Sequence, residues 1–174
     1  AFRIIHSGVD YGVHRIGMNY LMAGVSPGGY IEIHRVTNGT WARIKRFELA
    51  QAPSVWQEKY NNAAVGDKIT VKMTVCDYGD SFEIYLDDVL LYTCTDAKLL
   101  AQYTGTGFGL RSNTAAGTVY SNWEYKPFTT VSFDTNGGSE VESIRYGYGS
   151  LKVENPSKEN FVFDGWYYDS KLTK

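Results

Sequence analysis

The chain is poor in the residues that usually mark a catalytic or metal-binding protein. Its 174 residues include three histidines and two cysteines, and His6, His14 and His34 fall at no metal-ligand spacing. Neither a G-x-S-x-G nor an H-E-x-x-H run occurs. Net charge is only −2, so nothing points to nucleic acid, whose phosphates demand an excess of cations on one face. No apolar run approaches the ~18 residues of a membrane-spanning helix, and no membrane insertion is expected. Helical periodicity longer than about two turns is also missing.

What the chain has instead is aromatic rings and turns. Aromatics make up 15% of the residues, led by 14 tyrosines, and there are 18 glycines. That composition suits many short strands. The clearest run is 66–94, GDKITVKMTVCDYGDSFEIYLDDVLLYTC. Ile69, Val71, Met73 and Val75 alternate with polar neighbours, the period of a strand with one buried face. Turns at 77–80 and at Asp87-Asp88 make it a three-stranded meander. Pairing outward from the turns sets Val75 by Phe82, Met73 by Ile84, Val71 by Leu86 and Leu91 by Ile84. One face is then aliphatic, and the other carries Lys72, Thr74, Glu83, Tyr85 and Tyr92. Three strands cannot bury such a face alone, so a second sheet is expected. In this register Cys76 and Cys94 both lie opposite Ser81, ~10 Å apart across two strand spacings. Two unbridged thiols are expected, and a slip in register would alter that.

Tyr30 to Val36 and Trp41 to Leu49 form a hairpin closed by Asn38-Gly39, a strong two-residue turn signal. Pairing about that turn sets Val36 opposite Trp41, His34 opposite Arg43, Glu32 opposite Lys45, and Tyr30 opposite Phe47. Those eight share an outer face, while Ile31, Ile33 and Ile44 point to the core. Opposite charges across a pair of strands contribute only a few tenths of a kcal/mol. Aromatic faces beside planar polar groups also suit sugar rings. Elsewhere, residues 1–5 read as a strand, 6–29 and 50–64 as irregular connections, and 105–112 and 117–125 as two closing strands. Trp123 and Trp166 are expected in the core. After Lys126-Pro127-Phe128 the texture changes, with short strands expected at 131–134, 150–153 and 161–167.

The motifs of residues 1–126 resemble the concanavalin-like jelly rolls of the laminin-G and fructan-binding-module type. The matching residues are Asp87-Asp88, Thr95-Asp96, Gly107 to Ser112 and Tyr120-Ser121-Asn122-Trp123. From Thr130 on, V-S-F-D-T-N-G-G, Asn155-Pro156 and F-V-F-D-G-W-Y are similar to the Listeria–Bacteroides (internalin B-type) repeat, a small β-grasp-like module of bacterial surface and secreted proteins. The expected fold class is therefore all-β, with a β-sandwich at 1–127 and part of a repeat at 128–174. The first family's opening strands have no counterpart before Ala1, nor the second's closing strand after Lys174. An unpaired sheet edge, completed by a partner chain or another segment, is expected.

Relatives of that jelly roll include glucanases, which set carboxylates at alternate positions along one strand. Here Tyr85 stands between Glu83 and Asp87 where a middle carboxylate would be needed, so catalysis is not expected. No cofactor is expected either. A calcium ion, frequent in this fold, needs converging oxygens the sequence does not display. The expected function is non-catalytic binding of a polysaccharide or host glycan by an extracellular or wall-attached bacterial protein. The candidate residues are Trp41, His34, Arg43 and Glu32 on the hairpin, Tyr85 and Tyr92 on the meander, and Arg111 and Asn113 beyond. The alternative is a protein-binding adhesin domain or a spacer with no sugar ligand.

Overall fold

The computed structural model describes residues 2–5, 19–110, 118–148, 151–169 and 171. The chain divides into two compact units, Ala1–Trp123 and Glu124–Lys174. The described elements are mostly strands, in three small antiparallel sheets.

The first sheet has the order β1 (Phe2–Ile5), β2 (Asn19–Val25), β3 (Ile31–Thr37), β4 (Thr40–Phe47). Strand β2 replaces part of the irregular connection expected at 6–29; residues 6–18 lie outside the described residues. The strand was hidden because NYLMAGV is apolar without alternation, and it pairs with a neighbour on both sides. The hairpin turn is as expected, with Asn38 and Gly39 both at positive φ (49° and 81°).

The hairpin register holds only as far as a bulge. Val36 pairs with Trp41 and His34 with Arg43, but then one residue is inserted in β4. Ile33 meets Lys45, Glu32 meets Arg46 and Ile31 meets Phe47. The expected Glu32–Lys45 and Tyr30–Phe47 pairs are therefore wrong by one position. A bulge reverses the face of everything beyond it. Phe47 turns inward and packs on both core clusters, while Arg46 takes the place expected for Lys45.

The second sheet is β5 (Met73–Asp77), β6 (Phe82–Leu86), β7 (Val89–Cys94). Asp87 and Asp88 both adopt positive φ (47° and 68°), the conformation a two-residue hairpin turn requires. Between β5 and β6 the register is two residues away from expectation: Met73 meets Leu86, Val75 meets Ile84 and Asp77 meets Phe82. An even slip preserves the faces, so the aliphatic side survives. A second bulge, with Leu91 of β7 inserted opposite the Ile84–Tyr85 step of β6, sets Tyr92 opposite Ile84. Tyr92 thus joins the core side, within 6.0 Å of both the Phe47 and Phe82 rings. Its expected place beside Tyr85 is corrected. The cysteines are both free and buried, Cys76 across from Glu83 and Cys94 across from Phe82.

The two sheets share their apolar faces. Leu21 and Ile33 from the first meet Phe82, Ile84 and Cys94 from the second. Two helices close the ends of this core, the first of them in the stretch 50–64 expected to be irregular. Helix α1 (Ser54–Asn62) follows Pro53 and puts Trp56 against Ile31 and Leu86, with the indole N–H donating to the Gly29 carbonyl at 2.8 Å. Its other residues lack an apolar stripe, which is why periodicity missed it. Helix α2 (Ala97–Gln102) is capped by the Asp96 side chain, which accepts from Leu99 N–H, and it delivers Leu99 and Leu100 to the core.

Among the described residues of the expected closing strands, 105–110 hold only a single bridge residue, Gly107, and 118–125 carry no strand, with Asn122 at φ 52°. Trp123, expected in the core, is 55% exposed and lies 5.7 Å from the Phe108 ring.

In the second unit β8 (Thr129–Val131) pairs with β9 (Ile144–Tyr146), so neither 151–153 nor 161–167 is a strand. The Asn136-Gly137 turn is again at positive φ (49° and 78°), and the Asp134 carboxylate accepts from Asn136 N–H. Phe133, Phe163 and Trp166 pack ring on ring, with centroids 4.9 Å and 5.3 Å from Trp166. Their spacing in the sequence is thus a three-ring core.

Candidate functional site

Glu32 is the centre of the outer face of the first sheet. Strand β3 presents Glu32 and His34 two residues apart, hence on one side of the sheet. His34 Nε2 lies 3.1 Å from Glu32 Oε2, and Arg43 Nη1 donates to Glu32 Oε1 at 3.0 Å. The bulge brings Arg46 Nη1 to 3.6 Å from the same oxygen. Arg46 also grips Glu48 through two nitrogens, at 2.6 and 3.1 Å, and its guanidinium lies 3.7 Å from the Tyr30 ring centre. Burial opposes ionisation of Glu32, yet the bonds from His34 and Arg43 outweigh it and hold the carboxyl below its ordinary value of 4.5.

Trp41 completes the group. Its ring stands edge-on to His34 at 5.4 Å and to Tyr20 at 6.5 Å. Tyr20 comes from β2, opposite Val36, and both are buried. Sequence reasoning does not reach Tyr20, because NYLMAGV lacks the alternation of a half-buried strand, nor Arg46, because a bulge leaves no mark in hydrophobic periodicity. Four of the expected residues, Glu32, His34, Trp41 and Arg43, are brought together. Chemically the group is an aromatic ring beside fixed planar donors and acceptors, with the Arg43 side chain 54% exposed at its rim.

The other candidates do not join it. Tyr85 lies on the outer face of the second sheet, where its hydroxyl and that of Tyr78 donate to one oxygen of Glu83 at 2.6 and 3.1 Å. Burial, reinforced by Glu83, raises the pKa of both phenols. Glu83 is thereby engaged by two donors. Tyr92 packs in the core. Arg111 and Asn113 lie outside the described residues. Among the described residues no group of acidic, histidine and cysteine side chains could hold a metal. A groove of about 440 Å³ beside α1 is lined by Lys59, Asp67, Lys68 and Thr70. Lys59 there is committed to Asp87 at 2.9 Å and to the Thr70 carbonyl.

Comparison with known proteins places one part of the chain. Residues 130–174 match the Listeria–Bacteroides repeat domain, and this segment is such a repeat. Two relatives from Evansella cellulosilytica share part of the chain. One, named "Putative membrane protein", is 37% identical over 98 residues, 55% of this chain and 13% of its own length. The other, named "Putative Gly-rich membrane protein", is 40% identical over 70 residues, 39% of this chain and 8% of its own length. The chain thus spans a small fraction of either relative. No solved structure matches it. Among the described residues no helix is long and apolar enough to cross a membrane.

Proposed function

We propose that the first unit is a non-catalytic carbohydrate-binding module of a secreted or cell-surface bacterial protein, built on a jelly-roll-like pair of sheets. The observation that carries this reading is the ladder on β3 and β4. The Trp41 ring, His34, the clamped Glu32 carboxylate and the exposed Arg43 lie along one sheet face. Sugar binding needs an aromatic surface for ring C–H groups and donors and acceptors whose positions are already set. The neighbouring repeat, and the membrane-protein names of the two relatives, support a setting at the cell surface. Such a module acts by raising the local concentration of its parent protein at a glycan.

A second reading has its own support. Tyr20 and Val36, on the same face, are buried, and Trp41 is held edge-on by two rings. That suits a structural face in an adhesin or spacer. A glycan array probed with residues 1–174, beside Trp41→Ala, separates the two. Binding lost in the variant supports the module. Silence across a broad array, from protein shown to be folded by circular dichroism, leaves the spacer.

A further inference from the structure

The two glutamates carried on described strands, Glu32 on β3 and Glu83 on β6, have different company. Glu32 is met by two guanidinium groups, those of Arg43 and Arg46. Glu83 is met by no cation among the described residues. Its partners there are neutral: the Tyr85 and Tyr78 hydroxyls both donate to Oε2, while Oε1 receives no donor. The residues opposite it add no positive charge, being the buried thiol of Cys76 on β5 and Thr93 on β7. Lys72, which precedes β5, is engaged by Asp88 at 2.7 Å. A half-buried carboxylate is thus held in place by two phenols, which supply hydrogen bonds and leave its charge uncompensated. Glu83 and Tyr85, two residues apart on β6, share one side of the sheet, and Tyr78 reaches them from the turn after β5.

We infer that this outer face of the second sheet is a binding site for an amino sugar, whose ammonium group neutralises Glu83 at Oε1. The site lies apart from the ladder on the first sheet, and the inference rests on the carbohydrate-binding reading above for the sugar that carries the amine. A neutral glycan would leave the charge of the carboxylate as it stands. An ammonium donates to it in a charge-assisted bond, and neighbouring tyrosine rings favour the same cation. The rings also offer apolar surface to the C–H groups of the sugar.

The test uses one backbone in two charge states, glucosamine oligomers and their N-acetylated form, titrated calorimetrically into residues 1–174. Binding is expected for the glucosamine form only. It should weaken more than about tenfold between low and high salt, because exposed charges are screened. Glu83→Gln should weaken it about tenfold or more. Tyr85→Phe, which keeps the carboxylate and removes one of its two holders, should weaken it about two- to fivefold. Circular dichroism checks that both variants fold. Equal binding of the acetylated form, or binding indifferent to salt, overturns the inference and leaves carbohydrate binding standing. Undiminished binding by either folded variant overturns the assignment to this face. A lysine oligopeptide that binds as tightly, with the same need for Glu83, overturns the choice of a sugar as carrier. No binding of either form overturns the inference alone where the glycan array is positive, and the carbohydrate reading with it where the array is silent.

Discussion

Tyr103 and Thr37 show how a single contact ties α2 to the first sheet. The Tyr103 side chain is 1% exposed, and its hydroxyl lies 2.6 Å from Thr37 Oγ1. A buried hydroxyl that loses its partner keeps its desolvation cost. Tyr103→Phe and Thr37→Val should each lower stability by about 1 kcal/mol in urea melts, and the double variant should lose less than the two together. The titrating residues make a second prediction, with opposite signs at the two ends of the pH scale. Burial pushes the Cys76 thiol from 9.0 up to about 11 and the Tyr92 phenol from 10.0 up to about 12. A raised value favours the protonated fold, so this stability is whole below pH 9 and drains away as pH climbs through 11 and 12. Glu32 works the other way: its lowered value adds stability above its ordinary 4.5, lost as pH falls through the folded value. Equilibrium melts across pH should therefore fall at both ends, and Glu32→Gln should remove part of the acid limb alone.

At the scale of elements, α1 acts on the 26–30 turn as a clamp. Trp56 bonds the Gly29 carbonyl and Tyr60 the Pro27 carbonyl. Gly29 has φ 81°, and a Cβ there would come within 2.9 Å of the Tyr60 ring. Gly29→Ala combines left-handed strain with a collision, so a loss of about 2–4 kcal/mol in thermal or chemical melts is expected. Elements of this kind were half legible from the sequence. Alternation exposed β3 to β7, and Asn38-Gly39 and Asp87-Asp88 marked their turns. Strand β2 was hidden because NYLMAGV does not alternate apolar with polar residues, and α1 by having one buried anchor instead of a stripe. The candidate site was legible as far as the bulge, so Glu32, His34, Trp41 and Arg43 were found, and Arg46 and Tyr20 were not.

At the scale of the molecule, the two units draw on different cores. The first closes two sheets with two helices. The second has one sheet of two three-residue strands in its described part and the ring cluster around Trp166. A sheet that small is not stable by itself, so the rings carry the unit. Trp166→Ala should cost about 3 kcal/mol and unfold the second unit. The melt of the first, followed through Trp56, should keep its midpoint. Only the V-x-F-D-x-N-G-G and F-x-F-x-G-W-Y spacings made this unit readable, because turn geometry and ring packing both leave fixed residues behind.

The inserted residue in β4 behaves as a reading frame for the sheet. On its far side, core and ladder are assigned by parity, with Phe47 in and Arg46 out. Adding one more residue beside Ile44 shifts that parity, and one three-base insertion would send a guanidinium into the core and a phenyl ring into water together. Substitution at the same position only trims a side chain. The hairpin should therefore tolerate changes of letter far better than changes of length.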